Sequence, residues 1–593
     1  MIIFGSAIEI SPLASREYCI QNAHARLGHA LLGRTGWSDA LKTREHLASL
    51  SAVLLCAAAA AATWGGTPRP IAPPPLAQSG AAGPCEKLAG LKLDDVDVVS
   101  ATAQPDRAPV EGAAVGARGV SWMMPLPELP AFCRVVGRIH PEAGSDIGFE
   151  VWLPVKGWDG RLSGVGIGGF GGMIDYRSLS LIIKVGQAGV ATDTGHTGAG
   201  QLDASWAKGH PQRVRDYGWR AVHLATVHAK QLVEAFYGRR ADKSYFIGCS
   251  GGGRQGLIEA SRFPDDYDGV LAGAPAASWT DVAIAMINAV QAQLPAGAAI
   301  RVDQMQLLES EVQRQCHPTD GLISDPRKCG FDVKRLECGT NSSAQCFSPA
   351  QTKALSRIQA GARDSAGRQL TGGYLPAGAE SGPFGWATYL LTDASGAFGA
   401  QLHADGLTQN FIQDQFPTAA AFNFDTDPTR LKAELSGDLD VQPRLSKFFA
   451  RGGKLILWHG WADPAIPPQA TLDLDAAIHR NSSRAKNSER LFMVPNVQHC
   501  FGGNGPASFG QNNAPQPGDK PDNSMAAALQ EWVEKGRAPD AITARFGLGL
   551  GGAPAVQPER QRLLCAYPRQ AVLKSGAAPD SAVNYNCRIP SRN

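Results

Sequence analysis

Ser250, Asp463 and His499 are the residues of this 593-residue chain whose types and order could do acyl-transfer chemistry. Ser250 lies in Gly248-Cys249-Ser250-Gly251-Gly252, a G-x-S-x-G run inside KSYFIGCSGGGRQGLIEASRF. A serine hydroxyl is a poor nucleophile at neutral pH, so it needs an imidazole to take its proton and a carboxylate to hold that imidazole's tautomer. Asp463 in HGWADPAIPP and His499 in NVQHCFGG supply them, in the order serine, acid, histidine that accompanies a nucleophile elbow. Alone, Asp463 reads as a turn-former before Pro464 and His499 as a surface histidine. Their joint order gives them roles. The tetrahedral intermediate also needs amide donors for its oxyanion. Gly251 supplies one, and Gly168 or Gly169 in IGGFGG the other. That glycine run lacks the Lys-Ser/Thr ending and the Gly-x-Gly-x-x-Gly spacing of phosphate-binding loops.

These residues require strands that end in loops at one edge of a sheet. Residues 244–247 read as a short buried strand and 254–262 as a helix, with Ser250 on the tight turn between them, where the backbone is strained. Runs at 132–139, 149–153, 161–167, 188–193, 454–458 and 490–497 have strand character. Helical spacing is plain at 219–237, where Gly238 stops it, and at 524–535. Strands alternating with helices predict a parallel, doubly wound sheet. Between 277 and 446 that rhythm is lost among glycine-rich turns and scattered aromatics (Phe384, Trp386, Tyr389, Phe398), so an inserted lid is expected there. The tail after 535 is expected to wrap the surface. Asp193 and His196 in ATDTGH, and His459 beside the acid loop, read as structural hydrogen-bonding residues. No H-E-x-x-H or C-x-x-C pattern points to catalytic zinc.

The net charge of +2 is spread without basic blocks, which argues against nucleic-acid binding. Twelve cysteines occur, ten of them between Cys85 and Cys587, an even number that suggests disulfides and an oxidising compartment. Residues 42–62 carry a charged TREH segment, then LASLSAVLLC and an alanine run, the layout of a signal peptide. The 40 residues before it are unneeded for export. Leu55 is too large for a lipobox ahead of Cys56, and the apolar run is too short for a confident membrane span. The expected division is an extension and signal at 1–62, a Pro/Ala linker at 63–84, hydrolase parts at 85–276 and 447–593, and the lid at 277–446. A secreted or periplasmic location follows; oligomeric state is left open.

At IGGFGG, ATDTGH, DYGWRAVHLATVHAKQLVEAFYG, YFIGCSGGGRQGLIEASRFPDDYDGVLAGAPA, GWADPAIPP, QHC and LCAYPRQAV the sequence resembles the tannase and feruloyl esterase family. The resemblance implies an α/β-hydrolase fold with a lid that bears the substrate pocket. It implies small esters of aromatic acids as substrates. It also implies that Cys249, directly before the serine, pairs with Cys500, directly after the histidine. By the same analogy Cys85 pairs with Cys133, Cys316 with Cys329, Cys338 with Cys346 and Cys565 with Cys587.

The family's lid carries a calcium loop of alternating aspartates, and here the sequence departs from it. HPTDGLISDPRK, between Cys316 and Cys329, keeps Asp320 and the Leu322 carbonyl but lacks the upstream acids. Calcium takes roughly six to eight oxygens. A tight site is therefore not expected, and no cofactor is expected to be required. The expectation from the sequence is a serine esterase; a broad carboxylesterase and a hydrolase-shaped binding protein without turnover are the alternatives.

Overall fold

The computed structural model describes residues 84–590, apart from 108–127, 199–202, 319, 340–344, 383, 394–399, 512–513 and 548–556. The signal, all but the last residue of the linker, and Phe398 lie outside the described residues.

The frame is a nine-stranded sheet of β1 (Val96–Gln104), β2 (Phe132–Ile139), β3 (Ile147–Pro154), β4 (Arg161–Val165), β5 (Ala188–Thr192), β6 (Lys243–Cys249), β7 (Gly269–Gly273), β8 (Lys454–Gly460) and β9 (Glu489–Val494). Its order is β1-β2-β3-β5-β4-β6-β7-β8-β9. From β5 to β9 every neighbouring pair is parallel, but β1, β2, β3 and β5 pair antiparallel. The sheet is therefore mixed, which corrects the expectation of a parallel one. β2 and β3 are joined by residues 140–146, a link that suits a hairpin and is too short for a crossover. The central strand β7 is buried along its whole length, as expected of a strand covered on both faces.

The helices are α1 (Tyr176–Lys184), α2 (Ala221–Tyr237), α3 (Gly251–Arg262), α4 (Trp279–Gln293), α5 (Met305–Cys316), α6 (Pro349–Ala360), α7 (Asp427–Leu439), α8 (Pro468–Asn481) and α9 (Met525–Lys535), of which α1, α2, α3, α8 and α9 pack on the sheet. α2 ends on Gly238 at φ 69°, a left-handed cap that glycine adopts without strain. α9 starts on Ser524, whose hydroxyl accepts from the Ala527 amide.

The insertion between β7 and β8 contains α4, α5, α6 and α7, where the sequence suggested only turns. α4 explains the difference, because it buries Thr280, Ala283, Ile284, Met286, Ile287 and Val290 on all its sides and so carries no apolar stripe to reveal it. The insertion shares a core with the hydrolase part: Phe170, Trp206, Tyr217 and Ile466 of the latter pack with Trp279, Ile284, Phe411 and Leu431.

The tail forms two hairpins, β10 (Ala541–Phe546) with β11 (Gln557–Cys565) and β12 (Gln570–Leu573) with β13 (Tyr585–Arg588). It does more than wrap the surface, since Arg562 of β11 is only 2% exposed and reaches the lid. Disulfides join Cys85–Cys133, Cys249–Cys500, Cys316–Cys329, Cys338–Cys346 and Cys565–Cys587. Among the described residues no helix is long and apolar enough to cross a membrane.

Candidate active site

Ser250 stands between β6 and α3 with φ 62° and ψ −124°, a left-handed conformation that costs a non-glycine residue and turns its side chain out of the sheet. The strain is held from both sides: the Ser250 amide donates to Gly273 O at 2.9 Å, and Ser250 O accepts from the amides of Arg254 at 3.0 Å and Ala276 at 3.1 Å. A Cβ on Gly252 would meet the Gly166 backbone carbon at 2.8 Å, so the elbow closes onto β4 only because this residue is glycine. The serine side chain is half-buried and makes no hydrogen bond to any described residue.

Asp463 and His499 meet on loops that follow β8 and β9. His499 Nδ1 donates to Asp463 Oδ2 at 2.7 Å, which leaves the Nε2 lone pair available as a base. Asp463 Oδ1 accepts from the amides of Ala465 at 2.8 Å and Ile466 at 2.9 Å. Burial pushes this carboxyl up, but His499 and His459 outweigh it and hold Asp463 well below the usual carboxylate range. The two loops are also stitched through the backbone, with Trp461 N donating to Val494 O at 2.8 Å and Ala462 N to Val497 O at 3.0 Å. The disulfide between Cys249 and Cys500 brings the serine and histidine turns together, with Cα atoms 5.9 Å apart.

The glycine loop after β4 lies against the start of α3. Gly168 is next to the serine, since a Cβ built on it would be 3.8 Å from Ser250 Cβ, and Gly251 packs against Ile167 O and Gly168 Cα. Among the described residues no acceptor takes the amides of Gly168, Gly169 or Gly251. These are donors that an oxyanion could use. Tyr217 donates to Gly169 O at 2.8 Å and His196 Nε2 to Phe170 O at 2.8 Å, so the loop is held through its carbonyls. Burial pushes the His196 imidazole down to about 4, which keeps it neutral and suits a structural donor. Asp193 accepts from the amides of Gly148 at 2.9 Å and Gly195 at 2.8 Å.

Further residues position the groups of the site, and of these the sequence does not single out Gln498, Asn496 and Arg254. His459 Nε2 lies 3.1 Å from Asp463 Oδ2 while its Nδ1 accepts from Thr471 Oγ1 at 2.7 Å, so this histidine orients the acid. Gln498 Nε2 donates to Ala379 O at 2.8 Å and Ser381 O at 2.7 Å, tying the histidine loop to the lid. Asn496 Nδ2 adds a bond to Gly378 O at 3.0 Å. Tyr389, one of the lid aromatics in the sequence, sets its ring edge-on to His499 at 5.5 Å. Arg254 is fully buried, donates to Gly218 O at 3.0 Å and stands 4.7 Å from the Tyr217 ring centre. His459 is the structural hydrogen-bonding residue that its place beside the acid loop suggested, four residues from Asp463, whereas for Gln498 contacts with carbonyls more than a hundred residues away decide.

The lid loop does not fit calcium. Asp320 Oδ2 is taken by the buried Arg562 guanidinium, and Asp320 Oδ1 accepts from the Leu322 amide at 3.1 Å. Arg562 also donates to Ser324 Oγ at 3.1 Å and Ala571 O at 3.2 Å, and lies 4.1 Å from the Tyr585 ring centre. A cation supplied by the chain occupies the carboxylate that would hold a metal.

Against this geometry, a family model described as "Tannase and feruloyl esterase" matches residues 133–588. An uncharacterized esterase of Xanthomonas campestris pv. campestris is 35% identical over 86% of this chain and 92% of its own. The mono(2-hydroxyethyl) terephthalate hydrolase of Piscinibacter sakaiensis is 30% identical over 83% of this chain and 89% of its own. Among solved structures, feruloyl esterase B of Aspergillus oryzae superposes with a TM-score of 0.74 at 25% identity, over 85% of this chain and 99% of that one.

Proposed function

The chain belongs to the tannase and feruloyl esterase family and is a carboxylic ester hydrolase; on that premise we propose that it is a secreted serine esterase for esters of aromatic acids. The observation that carries the mechanism is the 2.7 Å bond from His499 to Asp463, on a loop disulfide-linked to the elbow of Ser250. Ser250 Oγ attacks the ester carbonyl as His499 Nε2 takes its proton, and the amides of Gly251 and of Gly168 or Gly169 hold the oxyanion. The intermediate collapses, the alcohol leaves with the proton from His499, and an acyl-serine remains. Water then gives a proton to His499 and adds to the acyl carbon, and the acid departs as Ser250 recovers its proton.

The aromatic-acid preference rests on the relatives named for feruloyl esters and for mono(2-hydroxyethyl) terephthalate. Aromatic rings beside the site support it, with Tyr389 edge-on to His499 and Phe170 of the glycine loop 5.9 Å from Trp279. Export rests on the five bridges, which belong to an oxidising compartment. A fluorophosphonate probe should label Ser250, and labelling elsewhere alone would reject the mechanism. Initial rates on methyl ferulate, methyl gallate, chlorogenate and a terephthalate monoester, set against p-nitrophenyl acetate, test the acyl group. Equal kcat/KM on aromatic and short aliphatic acyl esters would favour the broad carboxylesterase instead.

A further inference from the structure

Behind the nucleophile helix, away from the triad, His223 of α2, Glu259 in the last turn of α3 and Asp266 in the loop to β7 converge. One ligand atom from each lies within 4.8 Å of the other two. Glu259 is only 1% exposed, no N–H or hydroxyl donates to either of its carboxylate oxygens, and burial together with the facing Asp266 carboxyl pushes its own carboxyl up. A carboxylate stripped of water and given no donor is among the costliest groups a fold can bury, and a cation is what such a group lacks. Lys230 stands beside the cluster but does not serve Glu259: its Nζ donates to Asp265 O at 3.1 Å and pairs with Asp266 Oδ1 at 3.9 Å.

We propose that His223, Glu259 and Asp266 form a divalent transition-metal site, with zinc the ion their donor set suits. An imidazole with two carboxylates is the mixed nitrogen and oxygen set that zinc takes, and a water completes four-coordination. The ligands are arranged for it. His223 is fixed by stacking on Phe263 at 3.6 Å with rings 9° apart, and its Nδ1 already lies 2.6 Å from Asp266 Oδ2. His223 and Asp266 keep side-chain exposures of 24% and 10%, which leaves the ion a route in from solvent. Zinc with bonds of about 2.0–2.1 Å needs ligand atoms roughly 3.4 Å apart, so gaps that reach at most 4.8 Å close by up to about 1.4 Å on binding while the His223–Asp266 pair opens from 2.6 Å. That closure replaces the His223–Asp266 hydrogen bond with metal bonds, and any imidazole proton in excess leaves to solvent.

The site would cross-link α2 to the far end of the helix that Ser250 begins, roughly 13 Å along its axis. It is a brace for the elbow and takes no part in the acyl transfer. A second cluster, Asp475, His479 and Glu489, provides an internal control, because there the buried glutamate is itself met by the histidine, His479 Nε2 to Glu489 Oε2 at 2.9 Å, whereas both oxygens of Glu259 are left without a donor.

The test is zinc titration of chelator-stripped, desalted full-length protein, read by a competing chromophore and by thermal melting. The expected result is about one equivalent bound, with Tm raised by roughly 3 °C at a hundredfold excess over Kd. Glu259→Gln, which keeps the shape and removes the charge, should fold, melt no lower than zinc-free wild type, and lose the zinc-dependent shift. His223→Ala should lose it too, whereas His479→Ala should retain it. A wild type without a zinc-dependent shift would overturn the site, as would a shift that survives Glu259→Gln or disappears in His479→Ala. The first of those outcomes would mean that Glu259 stays neutral and shares a proton with Asp266.

Discussion

Cys249 and Cys500 are bonded with their Cα atoms 5.9 Å apart, and each is a chain neighbour of one member of the Ser250–His499 pair. The bond spans a sequence separation of 251 residues, the whole insertion included. In the chain-entropy picture such a loop contributes roughly 5 kcal/mol as an upper figure. Replacing both cysteines with alanine should give a folded protein with a lower Tm. Its kcat should fall by about tenfold or more with little change in KM, because serine and histidine lose their shared anchor while the pocket stays. An unchanged kcat in the double variant would refute this role.

Ser250→Ala should abolish turnover and fluorophosphonate labelling while leaving the melting curve in place. Asp463→Asn should cost about 10³–10⁴-fold in kcat, since an amide that donates to Nδ1 favours the wrong imidazole tautomer. Steady-state kinetics on one good substrate measures both. Ser250→Ala protein retaining near-normal turnover would remove the serine from its place.

Stability should fall as pH rises from about 4 to about 7, and Asp193 is one cause. Burial raises its carboxyl to about 7, so the folded protein takes up a proton that the unfolded chain releases near its ordinary value of 3.8. The contribution is fully present below that ordinary value and is lost as pH rises through about 7; its size is on the order of a few kcal/mol. Asp193→Asn keeps an acceptor for the amides of Gly148 and Gly195 and removes the titration. Urea unfolding at a series of pH values should show a flatter profile in the variant; an identical slope would assign the effect to other groups.

The fold, the elbow at Ser250 and the acid and histidine loops were legible because their signals are local. Gly248, Ser250 and Gly252 announce the elbow, since a side chain at Gly252 would collide with Gly166. β2 was bounded correctly because from Cys133 to Ile139 one face is buried and the other, with Arg134 and Arg138, is partly open. What stayed hidden depends on distant contacts. α4 is buried all round and has no stripe, Gln498 acts on carbonyls more than a hundred residues away, and Arg562 pairs with Asp320 at a sequence separation of 242. Periodicity reports on one face of one element, and none of these features is confined to one element.

Gln498→Ala should lower kcat by about tenfold while the disulfide remains intact. It releases Ala379 O and Ser381 O and loosens the loop that carries His499. A purely structural residue would lower Tm alone; here the pH dependence of kcat should shift as well, because the histidine's surroundings change. Unaltered kcat and pH profile, with only Tm reduced, would contradict the positioning role.

Calcium added at millimolar concentration to chelator-treated protein should leave Tm unchanged, because Arg562 already holds Asp320. Arg562→Met should destabilise by about 3–5 kcal/mol, the cost of leaving a buried carboxylate without its partner. A calcium-dependent rise in the wild type, read by differential scanning calorimetry, would show that other oxygens complete a site.

Phe170 lies between Gly169 and Gly171 in the candidate oxyanion loop, yet its ring is 5.9 Å from Trp279 and 5.7 Å from Phe411, both contributed by the insertion. The loop that would receive the developing charge and the segment that would select the acyl group are thus built on one set of rings. On the proposed function, substrate preference and turnover would then not be separate modules. An insertion grafted from a relative would bring its selectivity only together with the aromatic partners of Phe170, and a graft without them would trade rate for specificity.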